Sequence, residues 1–234
     1  MIDRERMRAK AAQYGITVTD AQLEQLDTYA ALLVEWNERM NLTSILEPEE
    51  IETKHFLDCM LAARLCKAGE SIADVGTGAG FPGVVMKIMQ PEIDITLIDS
   101  LEKRLTFLSE VGSQLKIGMN YIHARAEDAG HGDGLREAFA ATTARAVAPL
   151  NVLAEYCLPL TAVGGRLIAM KGRSAADEVE SAMAAIELLG GKNADEQEFA
   201  LPDGSERQII VIEKIAATPE KYPRRANAIK KKPL

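Results

Sequence analysis

Cysteine, histidine and aromatic residues are all sparse in this 234-residue chain, in which aromatics make up only 5%. The cysteines Cys59, Cys66 and Cys157 are odd in number and lack paired spacing, which excludes a disulfide framework and a cysteine-rich zinc site. His55, His123 and His131 lie apart among dissimilar neighbours, so no metal site is expected. No uncharged apolar run approaches the roughly 18 residues of a membrane span. The opening MIDRERMRAK is charged from its third residue and lacks the apolar stretch of a secretory signal. A cytoplasmic protein with no membrane partner is the expectation. What is there suffices for a packed core: 47% of residues are hydrophobic and 26% charged. That excludes disorder, collagen and coiled coil, and allows one large domain or a domain with an appendage.

Charge is unevenly spread. The net charge is -8, yet residues 221–234 (KYPRRANAIKKKPL) hold six Lys/Arg and no acid, leaving -14 on the rest. A basic segment on an acidic body fits a polyanion contact or a solvated terminus, and charge alone does not separate the two. Arg224 and Arg225 follow Pro223, while Lys230, Lys231 and Lys232 precede Pro233. Two basic clusters bounded by proline, which restricts the backbone, suggest a docked arm more than a freely waving tail, with these five cations as candidate polyanion contacts.

Periodicity divides the chain near residue 68. Residues 1–68 are expected to be helical throughout. Thr19 and Gln22 fit a capping box ahead of Leu23, Leu26, Ala30, Leu33, Trp36 and Met40 at helical spacing. Pro48 can open a further helix that buries Ile51, Phe56, Leu57, Met60, Leu61 and Leu65. Beyond residue 69, short apolar runs alternate with helical stretches. SIADV (71–75), IDITLID (93–99), MNYIH (119–123), TTARAV (142–147) and GRLIAM (165–170) are the strand candidates. EFAL and RQIIVIEKI (207–215) are expected to close the chain as an antiparallel pair. Strand–helix alternation of this kind implies an open α/β sheet, mainly parallel, with helices on both faces.

The segment Asp74-Val-Gly76-Thr-Gly78-Ala-Gly80-Phe-Pro-Gly83 directly follows the first strand. Glycines let the backbone turn sharply and approach a ligand, at the carboxyl edge where open α/β sheets bind ligands. Asp99 ends the second strand, where a carboxylate can accept both hydroxyl protons of a ribose. A nucleoside-containing cofactor follows. Two fingerprints overlap in the loop. Gly78-x-Gly80-x-x-Gly83 matches the dinucleotide pattern, and Asp74-x-Gly76-x-Gly78-x-Gly80 matches that of S-adenosylmethionine enzymes. The apolar run ends at Val75 and the glycines begin at once, as the second pattern requires. A cofactor with an ammonium group and no pyrophosphate also suits an acid before the loop. S-adenosylmethionine is therefore preferred, with Asp74, Gly76, Gly78 and Asp99 as its candidate ligands. After the third strand, Ala126 N–H and the Glu127 carboxylate can meet an adenine. Arg145, ending the fourth, can pair with the cofactor's carboxylate or steer a phosphate.

Several separated motifs together resemble one family. DVGTGAGFPG, LIDSLEKRLTFL (97–108), RAE (125–127), ARAVAPL (144–150), MKG (170–172) and the terminal YPRR…KKPL are similar to the bacterial small-subunit rRNA guanine-N7 methyltransferases, an older name for which is glucose-inhibited division protein B. Asn41-Leu42-Thr43 and His55-Phe56-Leu57-Asp58 match its N-terminal signature, with Cys59 standing where a serine is expected. The resemblance implies a class I methyltransferase: a Rossmann-like sheet of seven strands over residues 69–234, with a helical extension over 1–68. It implies methylation of N7 of one guanine in the decoding-region loop of 16S rRNA, by a monomer. It also places cofactor contacts at Gly76, Phe81, Ala126, Glu127 and Arg145, and allows Lys103 and Arg104 a role toward RNA.

Guanine N7 is a free lone pair, so no general base and no catalytic side chain are expected; orientation alone can supply roughly 7–11 kcal/mol. Neither an Asn-Pro-Pro-Tyr motif for an exocyclic amine nor a Pro-Cys nucleophile occurs. The competing readings are an NAD-dependent oxidoreductase and a noncatalytic RNA-binding protein with a vestigial pocket.

Overall fold

A computed structural model describes every residue except 173 and 174, and every side chain except those of 173–177. Seven strands form one sheet in the order β3-β2-β1-β4-β5-β7-β6. They are β1 (Ser71–Val75), β2 (Asp94–Asp99), β3 (Asn120–His123), β4 (Phe139–Arg145), β5 (Thr161–Gly172), β6 (Gly191–Ala200) and β7 (Glu206–Lys214). β1 to β5 are parallel, and β7 runs antiparallel between β5 and β6. The expected mainly parallel, Rossmann-like α/β sheet is what the chain forms.

The strands bury both faces, so their side chains divide alternately between two cores. Ile72, Ile209 and Val211 join one layer, whereas Ala73, Ile210 and Ile212 join the other. The first layer is covered by the N-terminal helices, α1 (Arg4–Ala12) and α2 (Asp20–Met40), together with α4 (Asp58–Ala63), α5 (Gly83–Met89) and α6 (Glu102–Leu115). Residues of 1–68 thus share a continuous core with the sheet. The second layer holds α7 (Ala126–Ala129), α8 (Leu150–Cys157) and α9 (Ala175–Leu188).

Local signals act as the sequence suggests at α2. Thr19 Oγ1 accepts the N–H of Gln22, and Gln22 Oε1 accepts the N–H of Thr19, closing the capping box. Elsewhere the structure departs from expectation. The helix expected from Pro48 breaks into α3 (Pro48–Glu50), a π-helical turn over Ile51–Leu57, and α4. Within that turn Ile51, Glu52, Thr53, His55, Phe56 and Leu57 are all buried, too many for one α-helical face. Glu52 is held there by Arg6 and Lys10. β6 begins seven residues before EFAL, in the polar run GKNADEQ. It is one of the sheet's two edge strands, where charge rather than alternation is useful because it discourages pairing with other chains.

The basic C-terminus is folded onto the body. Arg224 donates from Nε and Nη2 to the fully buried Glu155 of α8, at 2.8 and 2.6 Å. Beyond it, α10 (Ala226–Lys231) buries Ile229. The three cysteines are free and buried.

Candidate cofactor crevice

The strands β1 to β4 all deliver their carboxyl ends to one edge. There a crevice of about 360 Å³ opens between the glycine loop and the turns after β2, β3 and β4. Val75 and Ile98 form its apolar floor, and Val147 and Tyr156 its far wall.

The loop is built by hydrogen bonds to the end of β2. The N–H groups of Gly76 and Thr77 both donate to Ile98 O, at 2.9 and 3.1 Å. Gly78 N–H then donates to Asp99 Oδ2 at 2.9 Å. Gly78 has φ +61°, and this backbone conformation is what calls for glycine, since a Cβ there would meet only Gly76 O, at 3.9 Å. Asp99 Oδ1 accepts Leu101 N–H at 2.9 Å, and Arg104 Nη1 lies 3.3 Å from Oδ2. The carboxylate is thus aimed before any ligand arrives. Glu127, nearly buried at the start of α7, is paired with Arg125 at 2.7 Å.

Beneath the loop lies Asp74, with no exposed surface. Its Oδ2 accepts the Thr77 hydroxyl at 2.6 Å and the Gly83 N–H at 2.9 Å. Burial raises its pKa to about 6, while those two hydrogen bonds act to lower it. Gly83 is required by packing, since a Cβ would approach Leu97 Cδ2 to 2.5 Å and Asp74 Oδ2 to 2.7 Å. The arrangement bears on the choice of cofactor. In dinucleotide-binding folds the pyrophosphate sits at the N-terminus of the helix after the glycine loop. Here a buried carboxyl group already occupies that end of α5. A cofactor without phosphate fits; a dinucleotide does not.

Gly76, Asp99, Ala126 and Glu127 line the crevice together, and Gly78 touches it through its N–H on Asp99. Asp74 lies below the loop rather than on the wall. Phe81 and Arg145 lie elsewhere. Phe81 is buried with its ring stacked on His55, centroids 4.3 Å apart, and the Arg145 guanidinium sits 5.0 Å over the Phe81 ring. Arg145 donates from Nη1 to Lys54 O (2.9 Å) and Asp58 Oδ2 (3.1 Å), and its Nη2 lies 3.1 Å from His55 Nδ1. These acceptors turn it toward the N-terminal helices and away from the crevice. Burial and the Arg145 charge push the His55 pKa down to about 3. The neutral ring accepts from Arg145 at Nδ1, leaving Nε2–H to face Thr43 Oγ1 at 3.0 Å.

Arg224 is likewise held by an acid. Its pairing with Glu155 anchors it to α8, whereas Arg225, Lys230, Lys231 and Lys232 are exposed. Ser100, Arg104, Val147 and Tyr156 belong to the crevice without having been singled out for it. Val147 falls within the ARAVAPL motif without being marked there as a crevice residue, and Tyr156 reaches the crevice from α8, where no sequence signal singles it out.

Comparison with known proteins agrees with this architecture. Solved structures share the fold: TYW2 of M. jannaschii, in complex with AdoMet, superposes with a TM-score of 0.55 at 14% identity, covering 68% of this chain and 75% of that one. An rRNA methylase from Streptococcus thermophilus gives 0.50 at 19% identity, over 68% and 95%. Sequence relatives are far nearer. The ribosomal RNA small subunit methyltransferase G of Lactobacillus johnsonii is 48% identical over 95% of this chain and 96% of its own length. Its counterpart in Alkaliphilus metalliredigens is 45% identical over 95% of each. The family model for rRNA small subunit methyltransferase G matches residues 22–210, taking in α2, the glycine loop, the crevice and most of β7. On that match, and on relatives alike over nearly their whole length, the chain belongs to the rRNA small subunit methyltransferase G family.

Proposed function

We propose that this protein transfers a methyl group from S-adenosylmethionine to N7 of one guanine in 16S rRNA, in the decoding-region loop, acting as a cytoplasmic monomer. The observation that carries the cofactor assignment is the pairing of two carboxylates, Asp99 and Glu127, at the ends of β2 and β3 in a crevice whose helix N-terminus is closed to phosphate by Asp74. Asp99 receives the two ribose hydroxyls. Ala126 N–H and Glu127 receive the adenine edge, and the Gly76–Gly80 backbone borders the amino-acid end. Asp74 shapes that loop from below, while Phe81 and Arg145 pack against each other beside it. S-adenosylmethionine supplies an electrophilic methyl on a sulfonium, whose transfer leaves a neutral thioether.

The chain's own contribution is positioning and exclusion of water, because N7 has no proton to lose. The ionisable groups around the crevice are consistent with that. Asp99 and Glu127 are each paired with an arginine, and His123 Nε2 lies against Ser100 O at 3.1 Å. The test is transfer of tritiated methyl from S-adenosylmethionine into isolated small subunits and naked rRNA, followed by mapping of the product. A single 7-methylguanine in 16S rRNA is expected; methyl on another atom or another RNA overturns the reading. Calorimetry should find binding of S-adenosylmethionine and none of NAD.

A further inference from the structure

The carboxyl edge of the sheet carries a second cleft, of about 240 Å³, on the β5 side of the cofactor crevice. Ala146 lines both, so the two clefts share a border at that residue. That residue has φ +56°, a left-handed conformation that costs energy for a residue with a Cβ. Strain of this kind persists where surrounding structure imposes it, and it clusters at ligand sites. Lys171 helps impose it by donating to Ala148 O at 2.7 Å in the same turn.

The cleft gathers cations from an acidic chain: Arg145 ends β4, Lys171 lies near the end of β5, and Arg207 is on β7. Among them stands one carboxylate, Asp58 of α4, only 5% exposed. Its Oδ2 accepts from Arg145 Nη1 at 3.1 Å and lies 3.5 Å from Arg207 Nε. Among the described residues, no hydrogen bond is made to Oδ1. Burial raises the Asp58 pKa, and the two guanidinium groups oppose that rise. An ion-pair network serving only to hold α4 against the sheet would not need a carboxylate oxygen open to a cleft beside the cofactor.

We propose that this second cleft receives the acceptor guanine, with the Asp58 carboxylate taking hydrogen bonds from its N1–H and 2-amino group. The proposal rests on the guanine-N7 reading above and adds the residue that selects the base. Guanine is the RNA base with two adjacent donors on its Watson–Crick edge, which a carboxylate matches in pairs. Adenine presents an acceptor at N1 and no 2-amino group, so it meets the carboxylate with repulsion. With that edge held at Asp58, N7 lies on the opposite side of the ring, toward the border that the cleft shares with the cofactor crevice beside Ala146. Enzymes that modify a base act on single strands or extrude the base from its stack, and a cleft with a carboxylate in its lining suits an extruded purine.

The same contact favours the reaction. As N7 bonds to the methyl carbon and the carbon–sulfur bond breaks, positive charge moves onto the purine and the N1–H grows more acidic. No proton leaves. The hydrogen bond from N1–H to Asp58 therefore strengthens toward the transition state, which is the kind of binding that accelerates a step.

The test compares 16S rRNA carrying guanosine, inosine or 7-deazaguanosine at the mapped position, in single-turnover methylation. Inosine keeps N7 and N1–H but lacks the 2-amino group. With the wild-type protein, inosine should react about 10- to 100-fold more slowly than guanosine, the scale of losing one hydrogen bond to a charged partner. In Asp58→Asn, guanosine should slow by a similar factor and the guanosine-to-inosine ratio should fall to within about threefold of unity, with S-adenosylmethionine affinity near wild type. Equal rates for guanosine and inosine with the wild type overturn the proposal, and that arm needs no variant to fold. Equal slowing of both bases by Asp58→Asn also overturns it, leaving Asp58 as an anchor for Arg145 and Arg207. Methylation of 7-deazaguanosine at the guanosine rate would instead sink the N7 reading itself.

Discussion

Arg224 and Glu155 form a fork-to-carboxylate pair 69 residues apart in sequence, with the Arg224 backbone N–H adding a third bond to Oε1 at 2.8 Å. The carboxylate is fully buried, so it depends on this one arginine for its charge balance. Through the pair, a basic terminus is moored to α8, whose next residue, Tyr156, lines the cofactor crevice.

Removing the arginine should therefore cost more than an ordinary surface ion pair. Arg224→Ala leaves a buried charge uncompensated and should lower stability by about 3–5 kcal/mol in urea unfolding. The double variant Glu155→Leu with Arg224→Met should recover much of that loss, because replacing a buried pair by apolar groups is commonly near neutral. A small loss in the single variant would show that water reaches Glu155 readily.

The exposed cations of the terminus should act on RNA alone. If Arg225, Lys230, Lys231 and Lys232 make about three phosphate contacts, single-strand counterion release predicts a log–log salt slope near -2. Replacing all four by Gln should flatten the slope and weaken RNA binding at low salt, with S-adenosylmethionine affinity within about twofold of wild type. An unchanged slope would leave the terminus as a structural strap.

Asp99 should control cofactor affinity. Each hydrogen bond to its carboxylate is worth ~1.5–3 kcal/mol, so Asp99→Ala should weaken S-adenosylmethionine binding by one to two orders of magnitude in calorimetry. Gly78→Val should harm binding as much, since its φ of +61° is unfavourable for a β-branched residue and its side chain would enter the open space beside the loop. Wild-type affinity in a folded Asp99→Ala protein would remove this carboxylate from the cofactor's ribose.

Stability at acid pH should report His55 and Asp74 in opposite senses. His55 titrates near 6.5 when unfolded and at about 3 when folded, so the unfolded chain takes up the proton first and stability falls as pH drops from 6.5. The slope is up to about 1.4 kcal/mol per pH unit. Asp74, with its pKa raised from 3.8 to about 6, contributes stability that is full below 3.8 and is lost as pH rises through 6. Between pH 4 and 6 the two nearly cancel. His55→Asn should uncover the Asp74 contribution, so that the variant, whatever its loss at pH 7, gains stability relative to wild type as pH falls from 6 to 4. Parallel wild-type and variant profiles would mean that His55 protonates freely in the folded protein.

The chemical step should be nearly independent of pH. With no proton to remove from N7, single-turnover methylation should stay flat from about pH 6.5 to 8.5. A bell centred near neutrality would require an ionising side chain in the transfer.

Short-range chemistry made much of this molecule legible before folding was considered. The capping box at Thr19 and Gln22, the strand of apolar residues ending at Val75, and the glycines after it are decided by residues a few positions apart. Asp99 and Glu127 follow from the same logic, because the end of a parallel strand is fixed by the strand's own pattern and all such ends share one edge. Tertiary structure decided the partners of long polar side chains. Arg145 is in register to reach the cofactor, but Asp58, 87 residues earlier, and His55 and Lys54 beside it draw the guanidinium the other way. Arg224 reads as a free cation until Glu155 is brought under it. Backbone pattern is a local property, fixed by sterics and by which face is apolar; the destination of a guanidinium is set by whichever acceptors the completed fold leaves within reach, and only the assembled chain places Ala146 where two clefts meet and Asp58 in the second of them.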